Sequence, residues 1–276
     1  MSAIFIILHK ELRDGLRNRW VLAVTLLLTA LALALGFLGS APTGAVKVDP
    51  LTVTVVSLSS LSIFLVPLIA LLLSFDAVVG EVERGTMALL LSYPVARWQV
   101  MVGKFLGHLA ILTLATTLGY GLAGITLQWA HGGIDFAAWG PFVFLIVASV
   151  LLGASFLAMG YLVSSLVAER ATAAGIAIGV WLLLVVIYDM ALLGLLVADQ
   201  GRVITAPLLN TILLFNPTDV YRLLNLTGYE NVAMFAGMAG LSEQIDLSRA
   251  ALLAVQLLWI IVPFALATAV FRRRPL

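Results

Sequence analysis

Six apolar runs, each long enough to cross a bilayer, divide this 276-residue chain: about Trp20–Leu38, Val53–Phe75, Phe105–Leu127, Phe142–Val163, Ala171–Val197 and Ala250–Phe271. A hydrocarbon layer of about 30 Å takes roughly 20 residues at about 1.5 Å rise per residue, so each run fits one helical crossing. Inside lipid every backbone N–H and C=O needs a protein partner, which leaves only helices or closed barrels. The alternating strands of a barrel, about ten residues each, are not found. The expected fold is an all-α integral membrane protein with six transmembrane helices. Composition agrees: 62% of residues are hydrophobic, 11% are charged and mean hydropathy is +1.13, whereas a soluble domain carries roughly 25% charge.

The 15 basic residues divide unequally between the two sides. Lys10, Arg13, Arg17, Arg19, Arg84, Arg97, Lys104, Arg170, Arg272, Arg273 and Arg274 fall on one side; Lys47, Arg202, Arg222 and Arg249 fall on the other. The positive-inside rule predicts that the first set, with both termini, is cytoplasmic. In residues 1–19, Ile4, Leu8, Leu12 and Leu16 recur at helical spacing and lead to Trp20, with Lys10, Glu11, Arg13, Asp14 and Arg17 on other faces. This predicts an interfacial amphipathic helix lying on the cytoplasmic leaflet. The first span exceeds the roughly 7–15 apolar residues of a signal peptide and is expected to be retained. Val203–Phe215 and Val232–Leu241 are too short to span and are assigned to an outside segment, residues 198–249.

Much chemistry is excluded. Without cysteine there is no disulfide or thiolate ligand. Gly103-Lys104 lacks the upstream glycine of a phosphate-cradling loop, so any ATP is bound by another chain. His9, His108 and His131 are far apart, and neither a metalloprotease nor a serine-hydrolase motif occurs. The methionines, including the Met234/Met238 pair, read as packing residues rather than a soft-metal path. No catalytic residue, metal site, cofactor or nucleic-acid partner is assigned to this chain.

Residues 76–104, between the second and third spans, carry Asp76, Glu81, Glu83, Arg84, Arg97 and Lys104 around a short amphipathic helix, Thr86 to Ser92, stopped at Tyr93-Pro94. A water-facing surface built between two spans suits a soluble partner. Thr86 is expected to cap the helix Met87–Leu91, with the leucines toward the membrane and Glu81, Glu83 and Arg84 toward water. Asp189 is the one acid deep in an apolar run; such a charge costs roughly 2.5–3.5 kcal/mol at mid-bilayer. Its place toward the outer end of the fifth span leaves open a structural or interface role and the lining of a substrate exit. Gly175 and Gly179 form a G-x-x-x-G face, and Gly153, Gly160, Ser149 and Ser164 a similar one on the fourth span; both suit a second copy or internal packing. Ser57, Ser59, Ser60 and Ser62 make a polar stripe that lines a pathway or bonds its own helix carbonyls. On the outside, Asn216 is expected to cap a helix with Pro217 at its first position and Asp219 in its first turn. With Tyr221, Arg222, Asn225 and Tyr229, this segment is expected to contact an external partner, close an outer gate or form a lid.

The run Glu83-Arg84-Gly85-Thr86, then Leu89-Leu90-Leu91-Ser92-Tyr93-Pro94-Val95-Ala96-Arg97, then Gly103-Lys104, with Lys10-Glu11-Leu12 in the leading helix, resembles the signature of ABC-2 type permeases over the whole chain. NPTDVYRLLNLTGYE, residues 216–230, is similar to the branch found in NosDFY-type transporters of nitrous oxide reductase maturation. The resemblance implies a type V exporter-like permease in the bacterial inner membrane, acting as a homodimer. It implies two copies of a cytoplasmic ABC ATPase of the NosF type, which bind ATP and Mg, and a periplasmic protein of the NosD type. Its implied cargo is a sulfur species for copper–sulfur cluster assembly. Glu81, Glu83, Arg84, Gly85, Thr86 and Arg97 become the ATPase-coupling residues. A generic exporter of a lipid, glycan or drug, and a non-transporting membrane anchor, stay open as alternatives.

Overall fold

Long apolar runs satisfy their own backbone only by coiling, and the computed structural model, which describes residues 2–17, 19–38, 50–130, 139–199, 205–226 and 247–274, has no strand among them. The elements are α1 (Ala3–Arg17), α2 (Arg19–Leu38), α3 (Pro50–Ser74), α4 (Val79–Glu83), α5 (Thr86–Leu91), α6 (Arg97–Ala130), α7 (Trp139–Leu166), α8 (Arg170–Trp181), a π-helical turn (Leu182–Ile187), α9 (Tyr188–Asp199), α10 (Ala206–Leu214), α11 (Pro217–Leu226) and α12 (Arg249–Arg273). Five stretches are long and apolar enough to cross a membrane: Ser57–Glu83, Arg97–Ala130, Trp139–Leu166, Arg170–Asp199 and Arg249–Arg273. The pair α1 and α2, bent by 66°, makes up to a sixth.

Helix α7 is the hub, covered by α3, α6, α11 and α12. Small residues set the distances. A Cβ at Gly153 would sit 3.0 Å from Val66 Cγ1, and one at Gly160 3.0 Å from Ser74 Cβ. The small-residue face of the fourth span therefore serves internal packing. By contrast Arg170–Asp199 is the least covered span among the described residues, with Ile178, Leu183, Ile187, Met190 and Val197 outward.

Helix α1 turns Ile7 and Glu11 toward the bundle and leaves Leu16 exposed. The reason lies on α6, where Gly103 and Gly107 let α1 approach until their Cβ positions would stand 2.8 Å from Ile7 Cβ and 2.6 Å from Glu11 Cβ. Closest approach at the glycines selects the face of α1 turned to the bundle. The part of the outside segment within the described residues packs on the bundle, as the lid reading of it expected. Helices α10 and α11 form a hairpin against α3, α7, the π turn and α12. Its bonds reach residues well inside the spans: Tyr221 OH to Ser149 Oγ at 3.0 Å, and Trp259 Nε1 donating to Leu214 O at 3.1 Å. Tyr229 and Val232–Leu241 lie outside the described residues.

Candidate functional site

At the end of the bundle that holds both described termini, the chain leaves α3, turns through α4 and α5, and enters α6. Helix α4 is too short to hold itself, so other elements satisfy its ends. The amides of Val78 and Val79 donate to Ser164 Oγ of α7, at 3.0 and 3.1 Å. Gly85 then takes φ +72°, a left-handed conformation that a side chain would strain, and becomes the N-cap of α5. Thr86 is thus not the cap. It is the first residue of α5, and its hydroxyl donates backward to Glu81 O at 3.2 Å, tying α5 to α4.

Beneath the bend lies a buried ionic cluster. Lys104 of α6, almost wholly enclosed, donates to Glu11 Oε1 of α1 at 2.7 Å and to Glu81 Oε1 of α4 at 2.8 Å. Lys10 reaches Glu11 at 3.0 Å and Glu81 at 3.4 Å from the rim. His108 Nε2 stands 3.6 Å from Glu11 Oε2, while its Nδ1 is 2.8 Å from Tyr161 OH of α7. Burial alone would push the Glu11 carboxyl up. Lys104, with His108 and Lys10, outweighs it and holds Glu11 down at about 2. Two lysines between two carboxylates make the core of the cluster neutral, which makes its burial tolerable. It locks α1, α4 and α6 together, so a push on the bend moves three elements as one body.

Glu81, expected to face water, is therefore inside this cluster. Arg97, expected on a partner surface, donates from NH1 to Phe271 O at 3.0 Å and to the Arg272 and Arg274 carbonyls, closing the C-terminus of α12. Glu83 and Arg84 are exposed as expected; Glu83 Oε1 accepts from Arg170 N at 2.6 Å, at the start of α8. Arg170 also pairs with Asp76 at 2.9 Å. Met87 is fully buried, whereas Leu89 and Tyr93 are about two-thirds exposed. The outer skin of the bend is thus Glu83, Arg84, Leu89 and Tyr93, mixed charge around apolar groups. A cavity of about 500 Å³ opens beside the cluster, lined by Glu11, Asp14, Asp76, His108 and Arg170 over Leu72, Phe75 and Ile111.

A second polar constellation ties the hairpin to the π turn. Such a turn leaves helical carbonyls displaced, and Asn216 Nδ2 donates to one of them, Leu184 O, at 2.9 Å. Asn216 Oδ1 caps α11 by accepting from Thr218 N at 3.1 Å. Tyr188 OH donates to Ile212 O at 2.6 Å at the end of α10. Arg222 bridges Asp189 Oδ2 and Asp219 Oδ1, both at 2.6 Å. Asn216, Asp219 and Tyr221 are fully buried, so their side chains hold the hairpin to its own chain instead of offering it to a partner. Ser62 and Tyr120 share a 2.6 Å hydrogen bond inside the bundle; Ser57 is half-buried, and Ser60 opens outward. At Gly175 and Gly179 a Cβ would meet nothing within 4 Å, so this face is open.

Sequence reasoning missed Glu11, Lys104, His108 and Ser164. One signal was available: Gly103 and Gly107 form a G-x-x-x-G in α6 that brackets Lys104, and a close helix contact there encloses the lysine.

The described residues thus form a multi-pass helical membrane bundle with a braced bend between two of its spans. The family model described as ABC-2 family transporter protein matches residues 5–276. Two curated relatives, each described as probable ABC transporter permease protein NosY, are similar along their whole length. The protein of Stutzerimonas stutzeri is 45% identical over 278 residues, covering 99% of both chains. That of Pseudomonas aeruginosa is 45% identical over 277 residues, covering 100% of both. The chain belongs to the ABC-2 family of transporter permeases: it is a multi-pass inner-membrane subunit, and its family implies an ATPase partner.

Proposed function

We propose that two copies of this chain form the membrane unit of a NosDFY-type transporter and move a sulfur species to the periplasm for copper–sulfur cluster assembly of nitrous oxide reductase. The end carrying α1, the bend and both termini faces the cytoplasm, in keeping with its basic residues. Two ATPases of the NosF type, holding ATP and Mg, dock there, and a NosD-type protein binds the opposite end. The open α8 face at Gly175 and Gly179 meets the second copy.

One observation carries the coupling part of this reading. Glu83, Arg84, Leu89 and Tyr93 are exposed on a bend whose other side is fixed to α1 and α6 through Lys104. A partner that closes on this surface displaces the lower ends of α3 and α6 together. Charge reversal of both Glu83 and Arg84 is expected to reduce co-purification of the ATPase at least about tenfold, since an interface charge pair set against like charge costs over a kcal/mol. Undiminished co-purification would refute the docking assignment. The cargo is tested by whether cells lacking this chain regain the reductase's copper–sulfur cluster on its re-expression.

A further inference from the structure

Asp189 and Asp219 are two carboxyls held by one guanidinium. Arg222 NH2 bonds Asp189 Oδ2 and NH1 bonds Asp219 Oδ1, each at 2.6 Å. The other oxygen of each, Asp189 Oδ1 and Asp219 Oδ2, is buried and has no hydrogen-bond partner among the described residues. Asp219 is completely enclosed, and the two carboxyls interact directly with each other. A buried, unpartnered carboxylate oxygen costs about 1–3 kcal/mol or more, and here two carboxyls on one arginine each have one.

Among the described residues no neighbouring element supplies a second cation. Helices α3, α7 and α10 and the π turn contain no lysine or arginine. On α12 the near basic group is Arg249, whose guanidinium lies over the Phe144 ring at 4.6 Å. The remaining titratable groups on the packed elements near the pair are phenols: Tyr188 of α9, Tyr221 of α11 and Tyr120 of α6. With both acids ionised the triad carries a net charge of −1 in a buried place; with one proton added it is neutral.

We propose that Asp189 and Asp219 form a proton-binding site, in which one proton bridges Asp219 Oδ2 and Asp189 Oδ1 and latches the α10–α11 hairpin onto the start of α9, just beyond the π turn. The proton supplies the donor that both orphaned oxygens lack. It belongs to the pair and not to either residue. Loss of that proton to water leaves two carboxylates repelling each other beside one arginine, which loosens the hairpin where Asn216 and Tyr188 also hold it. Burial, opposed by Arg222 and reinforced by the neighbouring Asp189, pushes the Asp219 carboxyl up from its usual 3.8, the direction this arrangement requires. The inference stands apart from the identity of the cargo and of the external partner.

The sign of the effect follows from linkage. The latched form holds a proton that the loosened form releases, so latching is strongest in acid and weakens as pH rises from 3.8 through the raised value of Asp219. The experiment is hydrogen exchange on the full-length chain in lipid nanodiscs, from about pH 4 to about pH 9. Protection of residues 206–226 is divided by the intrinsic exchange rate at each pH. Wild type is expected to lose protection by up to about tenfold per pH unit within that window and to level off above it. In Asp189→Asn the amide donates to Asp219 Oδ2 without titrating, and protection should vary less than about twofold. Asp219→Asn is the second variant. Infrared spectra of the same samples should contain a protonated-carboxyl C=O band that disappears on raising the pH and is missing from both variants. Wild-type protection that does not change with pH would overturn the proposal, as would a titrating carboxyl band that survives in both variants.

Discussion

Lys104 is the enclosed cation that joins α1, α4 and α6. Its ammonium donates to Glu11 and Glu81, and removing it leaves these two buried carboxylates with only Lys10, from the rim, between them. Breaking a buried pair from one side costs about 3–5 kcal/mol, more than the pair itself contributes. Lys104→Met should therefore lower the thermal midpoint of the purified chain steeply. Adding Glu11→Gln and Glu81→Gln should restore most of the loss, because the triple variant buries no uncompensated charge. Glu11 makes a separate, pH-resolved forecast. Its carboxyl is held at about 2 in the folded chain against an ordinary 4.5, so its contribution is complete above 4.5 and fades as pH falls toward 2. The span corresponds to roughly 2–4 kcal/mol. Thermal midpoints recorded through this acid range should fall more for wild type than for Glu11→Gln.

At the scale of elements, the two ends of the bundle are joined by different means. Helix α1 is seated by close approach: a Cβ at Gly103 or Gly107 would collide with Ile7 or Glu11. Gly103→Val is expected to lift α1 and to cost about 1–3 kcal/mol by overpacking; exchange of the α1 amides should accelerate while α7 stays protected. The hairpin at the other end is seated by polar clips. Asn216 serves two helices at once, capping α11 and covering the Leu184 carbonyl of the π turn. Asn216→Ala should cost about 1–3 kcal/mol and expose residues 206–226 to exchange, with little effect on α1. If both ends respond equally to either substitution, the two seats are not independent.

For the whole molecule, a hub helix with a rigid socket at one end and a clipped hairpin at the other is suited to carrying displacement along its length. Helix α7 meets both, offering Ser164 to α4 and Ser149 to Tyr221 of α11. Cross-linking α4 to α7 is therefore expected to abolish the stimulation of the partner ATPase by the membrane subunit without dissociating the complex. Retained stimulation would place the transmission elsewhere.

How much of this was legible beforehand differs from element to element. The helical class and the exposed Glu83 and Arg84 could be read directly, because hydropathy and charge are properties of a short window. The cap of α11 at Asn216 was legible too, since capping involves near neighbours. Glu81 and Arg97 were misplaced because a charged residue near a span reads as solvated until its partner is known. A lid was among the readings of the hairpin, but which groups its polar side chains bond, on the π turn and α7, was not legible because those partners lie far away in sequence.

The sequence by itself determined that this chain is helical, lies in a membrane and concentrates its basic residues toward one side, since lipid forces each apolar run to coil and biases where basic charge lies. Only the tertiary structure decided that Lys104 meets Glu11 across 93 positions, and that Asp189 and Asp219 share Arg222. Those pairings depend on how closely helices approach, a distance set by glycines and a π turn on other parts of the chain, and no local pattern contains it.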